Sequence, residues 1–232
     1  MIYNKHEASD EKETGRLEAF SDGVFAIAIT LLVLGIAIPQ IGNGKDSLQE
    51  QVIKQWPSFL AYVISFMTIL IMWSIHHALF KLIHRTNHLF MILNGLLLML
   101  ITFVNYPTAV LASYIQSSNP DEQKFAALLY SGTFILIAIF YNVLWRYAAF
   151  NHRLLSKKVS SAQVERITKE YRFGPLFYLI AFALGFLSVW ASVAVNAALV
   201  IYFAFTGQEK RDERRQEYEQ AESDHPSVGS AE

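Results

Sequence analysis

Three groups of side chains have the types and spacing to do chemistry. The first is Arg16, Ser21 and Asp22, at the head of a run that from Val24 to Pro39 is apolar except for Thr30. An ionisable group at membrane depth is costly and needs partners within the protein. For the Asp22 carboxylate the candidates are Arg16, the Trp73 indole, His77 and Asn94. A second span descending beside the first brings Trp73 and His77 to its inner end, and Asn94 begins the third at the same depth. The expected result is a buried polar cluster that fixes the first helix in place. The second group is His76, His77, His84 and His88 within thirteen residues, with His84 and His88 at a metal-ligand spacing of four. The third is Ile27, Thr30, Leu31 and Leu34, which share one helical face with Gly23 and Ile38. From residue types alone, that stripe reads as ordinary packing or lipid-facing surface.

These groups hang on a chain with a membrane composition. Of its 232 residues 53% are hydrophobic, 14% aromatic and only 17% charged. A helix from Arg16 to Ile38 would run about 35 Å, enough for a hydrocarbon core of about 30 Å. Further spans are expected at about Ser58–Leu79, Leu89–Ile115 with a kink at Pro107, and Phe125–Ala149. Residues 1–15 read as a frayed or short surface helix with no cleavable signal peptide. Asn151–Arg172 reads as a basic amphipathic surface helix. The apolar stretch 174–206 is too long for one span, so it is read as helices at about 175–191 and 195–206 with a turn near Ser192–Asn196. The resulting organisation is a cytoplasmic segment 1–15, a six-helix transmembrane domain 16–206 and a disordered tail 207–232. With both termini inside, sixteen of the nineteen Lys and Arg fall on the cytoplasmic side, leaving Lys45, Lys54 and Lys124 outside.

Arg16-x-x-x-Phe20-Ser21-Asp22-Gly23 and the following run with Ile27 and Thr30 resemble the first helix of the transmembrane protein 175 family. These are the endolysosomal potassium channels and their bacterial relatives. Trp73-x-x-x-His77 late in span two, and Asn94-Gly95 with Pro107-Thr108 in span three, extend the resemblance over roughly residues 16–206. Asn105-Tyr106-Pro107 departs from the Pro-Phe-Pro-like stretch usual there. The resemblance implies an all-α integral membrane protein of the bacterial plasma membrane. A single six-helix unit implies a homotetramer, with span one lining a central pore. It further implies that Ile27, five residues after the motif aspartate, is the narrow constriction. Thr30 would then add a hydroxyl ring, and Leu31 and Leu34 further apolar rings. Such a neck gates by dewetting and discriminates by dehydration, and potassium gives up water more readily than sodium. The polar cluster of Arg16, Ser21, Asp22, Trp73, His77 and Asn94 would serve structure and gating. The permeant ion expected is K+, with no cofactor and no metal.

Two other classes compete. A secondary transporter would carry paired broken helices, and only Pro107 breaks a span. A histidine-rich membrane metalloenzyme would need several histidine boxes. Outside the inner stretch there is only His152 in the folded region, besides His6 and His225, and no Asp or Glu lies near His84 and His88. Those histidines otherwise read as interfacial residues of a short loop, where histidine protonation would make the loop pH-sensitive. The chain has no cysteine, no phosphate-binding Gly-rich loop, no Ser-His-Asp set and no arginine ladder. Its basic segments are expected to meet anionic lipid head groups, and nucleic acid is not an expected partner.

Overall fold

The computed structural model describes the backbone of residues 3–39, 47–157 and 159–204, with side chains from residue 13 onward. The tail 207–232, Lys45, His225 and the side chain of His6 lie outside that description. The described chain is helical, joined by short loops.

Helix α1 spans Tyr3–Leu31 as one element. The expected break between a surface segment and the first span is absent, because only Gly15 interrupts a run of good helix formers. The other end also differs from expectation. Instead of continuing to Ile38, α1 tightens into a 3₁₀ turn over Leu32–Gly35, and Ile36 is extended. Gly35 and the extended geometry that Pro39 imposes on the residue before it both work against helix. Asn105 Nδ2 donates to the Leu31 carbonyl at 3.0 Å, satisfying a helix-end acceptor.

Helix α2 (Leu48–Lys54) falls where a plain loop was expected. Ser47 and Glu50 form a reciprocal capping box, in which the Ser47 side chain accepts from the Glu50 amide and the Glu50 carboxylate accepts from the Ser47 amide. Helix α3 spans Trp56–Phe80 with Pro57 in its first turn. Span three is two segments, α4 (His88–Phe103) and α5 (Asn105–Tyr114), which break at Val104. Pro107 supplies the cause, since its ring and missing N–H disrupt the bond to the carbonyl four residues earlier. Helix α6 (Pro120–Ala149) starts earlier than expected, because Asn119 is its cap and Pro120 its first residue.

The last third requires a correction. The basic segment and the first apolar segment form one helix, α7 (Ser161–Gly185), capped by Ser160 and carrying Pro175 inside. The turn lies at 186–188, not near Ser192–Asn196, and α8 follows as Val189–Ala204. The basic segment does not lie apart as a surface helix, because its Val164, Ile167 and Tyr171 pack against the core. Trp145 Nε1 donates to Thr168 at 2.9 Å, and Asn142 donates to the Tyr171 carbonyl.

Four helical stretches are long and apolar enough to cross a membrane: Glu13–Gly35, Trp56–Phe80, His88–Tyr114 and Pro120–His152. Helix α8 is a shorter apolar helix. Helix α6 contacts α4, α5 and α7, while α1 lies on α3 and α4. Trp145, Phe134, Ile137, Ile69, Leu97 and Ile101 are fully buried between them.

Small hydroxyls pin the bundle where α3, α5 and α6 meet. Thr108 Oγ1 donates to the Val104 carbonyl at 2.8 Å, so the 2.8 Å contact from Ser65 makes Ser65 the donor there. Tyr130 must then donate to Ser65, at 3.0 Å. This relay joins α6, α3 and α5 and ends on the carbonyl at the break. Ser65→Ala strands the Tyr130 hydroxyl and should cost about 1–2 kcal/mol. Thermal unfolding in detergent should show a midpoint a few degrees lower.

Candidate functional site

Helix α1 has two unlike faces. Phe25, Ala28 and Leu32 are each at most 2% exposed and key it into the subunit. On the other side Ile27 is 56% and Leu34 74% exposed, and Thr30 and Leu31 are exposed with them. Leu34 lies in the 3₁₀ turn, so the simple helical-face argument carries the stripe only as far as Leu31. The Thr30 hydroxyl donates to the Ile27 carbonyl at 3.0 Å. Its proton thus points back into the helix, leaving the oxygen as an acceptor.

Where α1, α3 and α4 meet, the polar residues divide into two arms. In the buried arm, Ser21 donates to the Leu17 carbonyl at 2.8 Å, which obliges its oxygen to accept from Asn94 Nδ2 at 2.9 Å. Asn94 Oδ1 then accepts from His76 Nε2 at 2.9 Å. Ser21, Asn94 and His76 are all 0% exposed. This network assigns the His76 proton to Nε2, and Nδ1 has no partner among the described residues. Phe80 stacks on the imidazole at 4.5 Å and Phe25 meets it edge-on at 5.2 Å. The arm thereby ties α1, α3 and α4 together in an otherwise apolar layer.

In the second, half-buried arm, Trp73 Nε1 donates to Asp22 Oδ1 at 2.8 Å. His77 Nδ1 lies 2.9 Å from Glu18 Oε1 and its ring stacks on Trp73 at 5.8 Å. Possible ligand atoms of Glu18, Asp22 and His77 lie within 4.8 Å of one another.

Five of the six residues expected in the cluster, Ser21, Asp22, Trp73, His77 and Asn94, are therefore at the α1–α3–α4 junction. Arg16 is not among them: it is exposed, and no described contact joins it to Asp22. The indole N–H holds the carboxylate in its place. Asn94 serves Ser21 and His76, not Asp22. Glu18 escaped the sequence reading, and His76 was grouped there with His84 and His88, not with this cluster. Glu18 stands four residues before Asp22, on the same helical face, and that spacing was its signal. His76 stands three residues after Trp73, so Trp73, His76 and His77 all reach one side of α3. The other histidines do not share a helix face, since His84 lies in a loop and His88 opens α4. That loop pairs with the one after α6 through a bridge between Ile83 and Leu155, with Leu154 accepting from the His84 amide at 2.9 Å.

Comparison with known proteins places this geometry in context. Residues 16–104 match the family model described as the endosomal/lysosomal potassium channel TMEM175. A potassium channel from Chamaesiphon minutus is 54% identical over 199 residues, 85% of this chain and 97% of that protein. A potassium channel from Streptomyces collinus is 37% identical, covering 83% of this chain and 92% of its own length. A crystal structure of a lysosomal potassium-selective channel TMEM175 homolog from Chamaesiphon minutus superposes with a TM-score of 0.76 at 51% identity, covering 84% of this chain and 98% of that one.

Proposed function

The chain belongs to the TMEM175 family of ion channels, and from that premise we propose that it is a passive, potassium-preferring channel whose pore is lined by α1. It is a membrane channel and not an enzyme. The observation that carries the reading is the two-sidedness of α1: one face is fully buried in the subunit and the other carries Ile27, Thr30, Leu31 and Leu34 bare. In an oligomeric channel that bare face needs an occupant. Four copies meeting on an axis would enclose a neck with Ile27 as its constriction and Thr30 oxygens as its polar ring. Dehydration at the neck favours potassium over sodium, and Thr30 replaces part of the lost water shell.

The proposed subunit has six crossings: the four long helices, then the apolar half of α7 going out and α8 returning. Both termini are then cytoplasmic, with the basic residues of α7 on the inner side of the bacterial plasma membrane, where they meet anionic lipids. Ser21, Asp22, Trp73, His76, His77 and Asn94 seat the pore helix and couple its movement to opening; they do not touch the ion. Asp22→Ala frees the Trp73 indole and loosens α1 from α3. It should lower flux about tenfold or prevent assembly, read by liposome flux and by size-exclusion mass; a variant that assembles and conducts normally removes this role.

The absence of native cysteine makes the pore assignment directly testable. Single substitutions Ile27→Cys, Thr30→Cys and Leu34→Cys should each let a small cationic thiol reagent block flux. Leu179→Cys, exposed on α7, should leave flux untouched by the reagent. Block at position 179 but at none of the α1 positions would reject α1 as the pore wall.

A further inference from the structure

We propose that Glu18, Asp22 and His77 form a binding site for a divalent transition-metal ion of the zinc class, bridging the pore helix to α3 at its inner end. Zinc favours three protein ligands from imidazole and carboxylate groups with a water at the fourth position, at about 2.0–2.2 Å. Tetrahedral ligands at that distance stand about 3.3 Å apart. The three candidate atoms already lie within 4.8 Å of one another, and Glu18 and His77 are at 2.9 Å. Side-chain adjustments of up to about 1.5 Å close the set, with the ion replacing the proton between Glu18 and His77.

The surroundings suit a metal in three further respects. Trp73 holds Asp22 by one carboxylate oxygen, and among the described residues no hydrogen bond occupies the other. Its ring lies nearly parallel to His77, 15° between planes, and fixes the imidazole's orientation. The Glu18 and His77 side chains are 26% and 38% exposed, so an ion and its water have an entry path. The ligand set also crosses two elements: Glu18 and Asp22 sit one turn apart on α1, and His77 comes from α3, 59 residues after Glu18. A bound ion therefore clamps α1 to α3 and opposes their separation. Mixed nitrogen and oxygen ligation selects zinc-like ions over magnesium, which prefers all-oxygen sites. The site is independent of which ion the pore passes.

Isothermal titration of the purified full-length chain with zinc chloride, in detergent without chelator, tests the assignment. One zinc per chain should bind. Glu18→Gln and His77→Gln should each weaken it at least about tenfold, and Trp73→Phe, which removes a positioning bond, should weaken it by about tenfold. The double variant His84→Gln/His88→Gln should bind zinc as the wild type does. Absence of saturable binding, binding that survives both Glu18→Gln and His77→Gln, or binding lost with His84 and His88 would each overturn the site. The wild type supplies an independent readout: zinc should raise its thermal midpoint and equal magnesium should not. No zinc-specific rise would count against a bridging ion.

Discussion

Asn94→Ala should destabilise the protein strongly for a polar side chain of its size. It removes at one stroke the acceptor for His76 Nε2 and the donor to Ser21. Because His76 Nδ1 already lacks a partner among the described residues, the variant leaves a fully buried imidazole with neither nitrogen satisfied by them. Each stranded buried group costs about 1–3 kcal/mol, and the lost side chain adds a cavity between α1, α3 and α4. The total is about 2–4 kcal/mol, which lowers the thermal midpoint by about 5–12 °C for a chain of this size. Ser65→Ala, whose relay lies at the other end of the helices, should cost less and add independently. An Asn94→Ala protein that melts like the wild type would mean that packing by Phe25, Ala28 and Leu32 alone holds the pore helix.

The second large effect concerns ion choice. Ile27→Asn puts a polar group where the neck is proposed to strip water. Hydrated sodium then meets a smaller barrier, and the potassium-over-sodium preference should fall by about 1 kcal/mol, roughly fivefold. Ile27→Val keeps the ring apolar and should change the ratio little while raising total flux. The ratio is measured in liposomes under bi-ionic gradients. An unchanged preference in Ile27→Asn would move the selectivity determinant to Thr30, whose hydroxyl oxygen is the next candidate along α1.

Much of this was legible from residue patterns because the strongest signals are local. Pro107 announced the break at Val104, and Trp73, His77, Asn94, Ser21 and Asp22 were placed together by counting depth along antiparallel spans. The misses have local causes too. Asn119-Pro120 reads equally as a loop breaker or as a cap with a first-turn proline, and the structure uses the second. The Ser47–Glu50 capping box lay in a stretch dominated by glycine and charge. Helix α7 joins a basic half to an apolar half, so composition suggested a boundary where the backbone has none; neither Gly174 nor Pro175 stops it. Hydrogen-bond direction was beyond sequence altogether. Only the bond from Ser21 to the Leu17 carbonyl decides which way Asn94 points, and hence that His76 takes its oxygen. Of the four partners the sequence offers Asp22, the indole N–H of Trp73 is the one that reaches the carboxylate across the helix interface, and no described contact joins Arg16 to it.

The central claim, a potassium-preferring passive pore, is tested most directly by reconstituting the purified protein into liposomes loaded with potassium. Flux is then compared for potassium, sodium and a bulky organic cation such as N-methylglucamine. The predicted result is flux driven by the gradient alone, potassium ahead of sodium, and none for the organic cation. Equal passage of all three, or no potassium flux from protein shown by its melting curve to be folded, would contradict it.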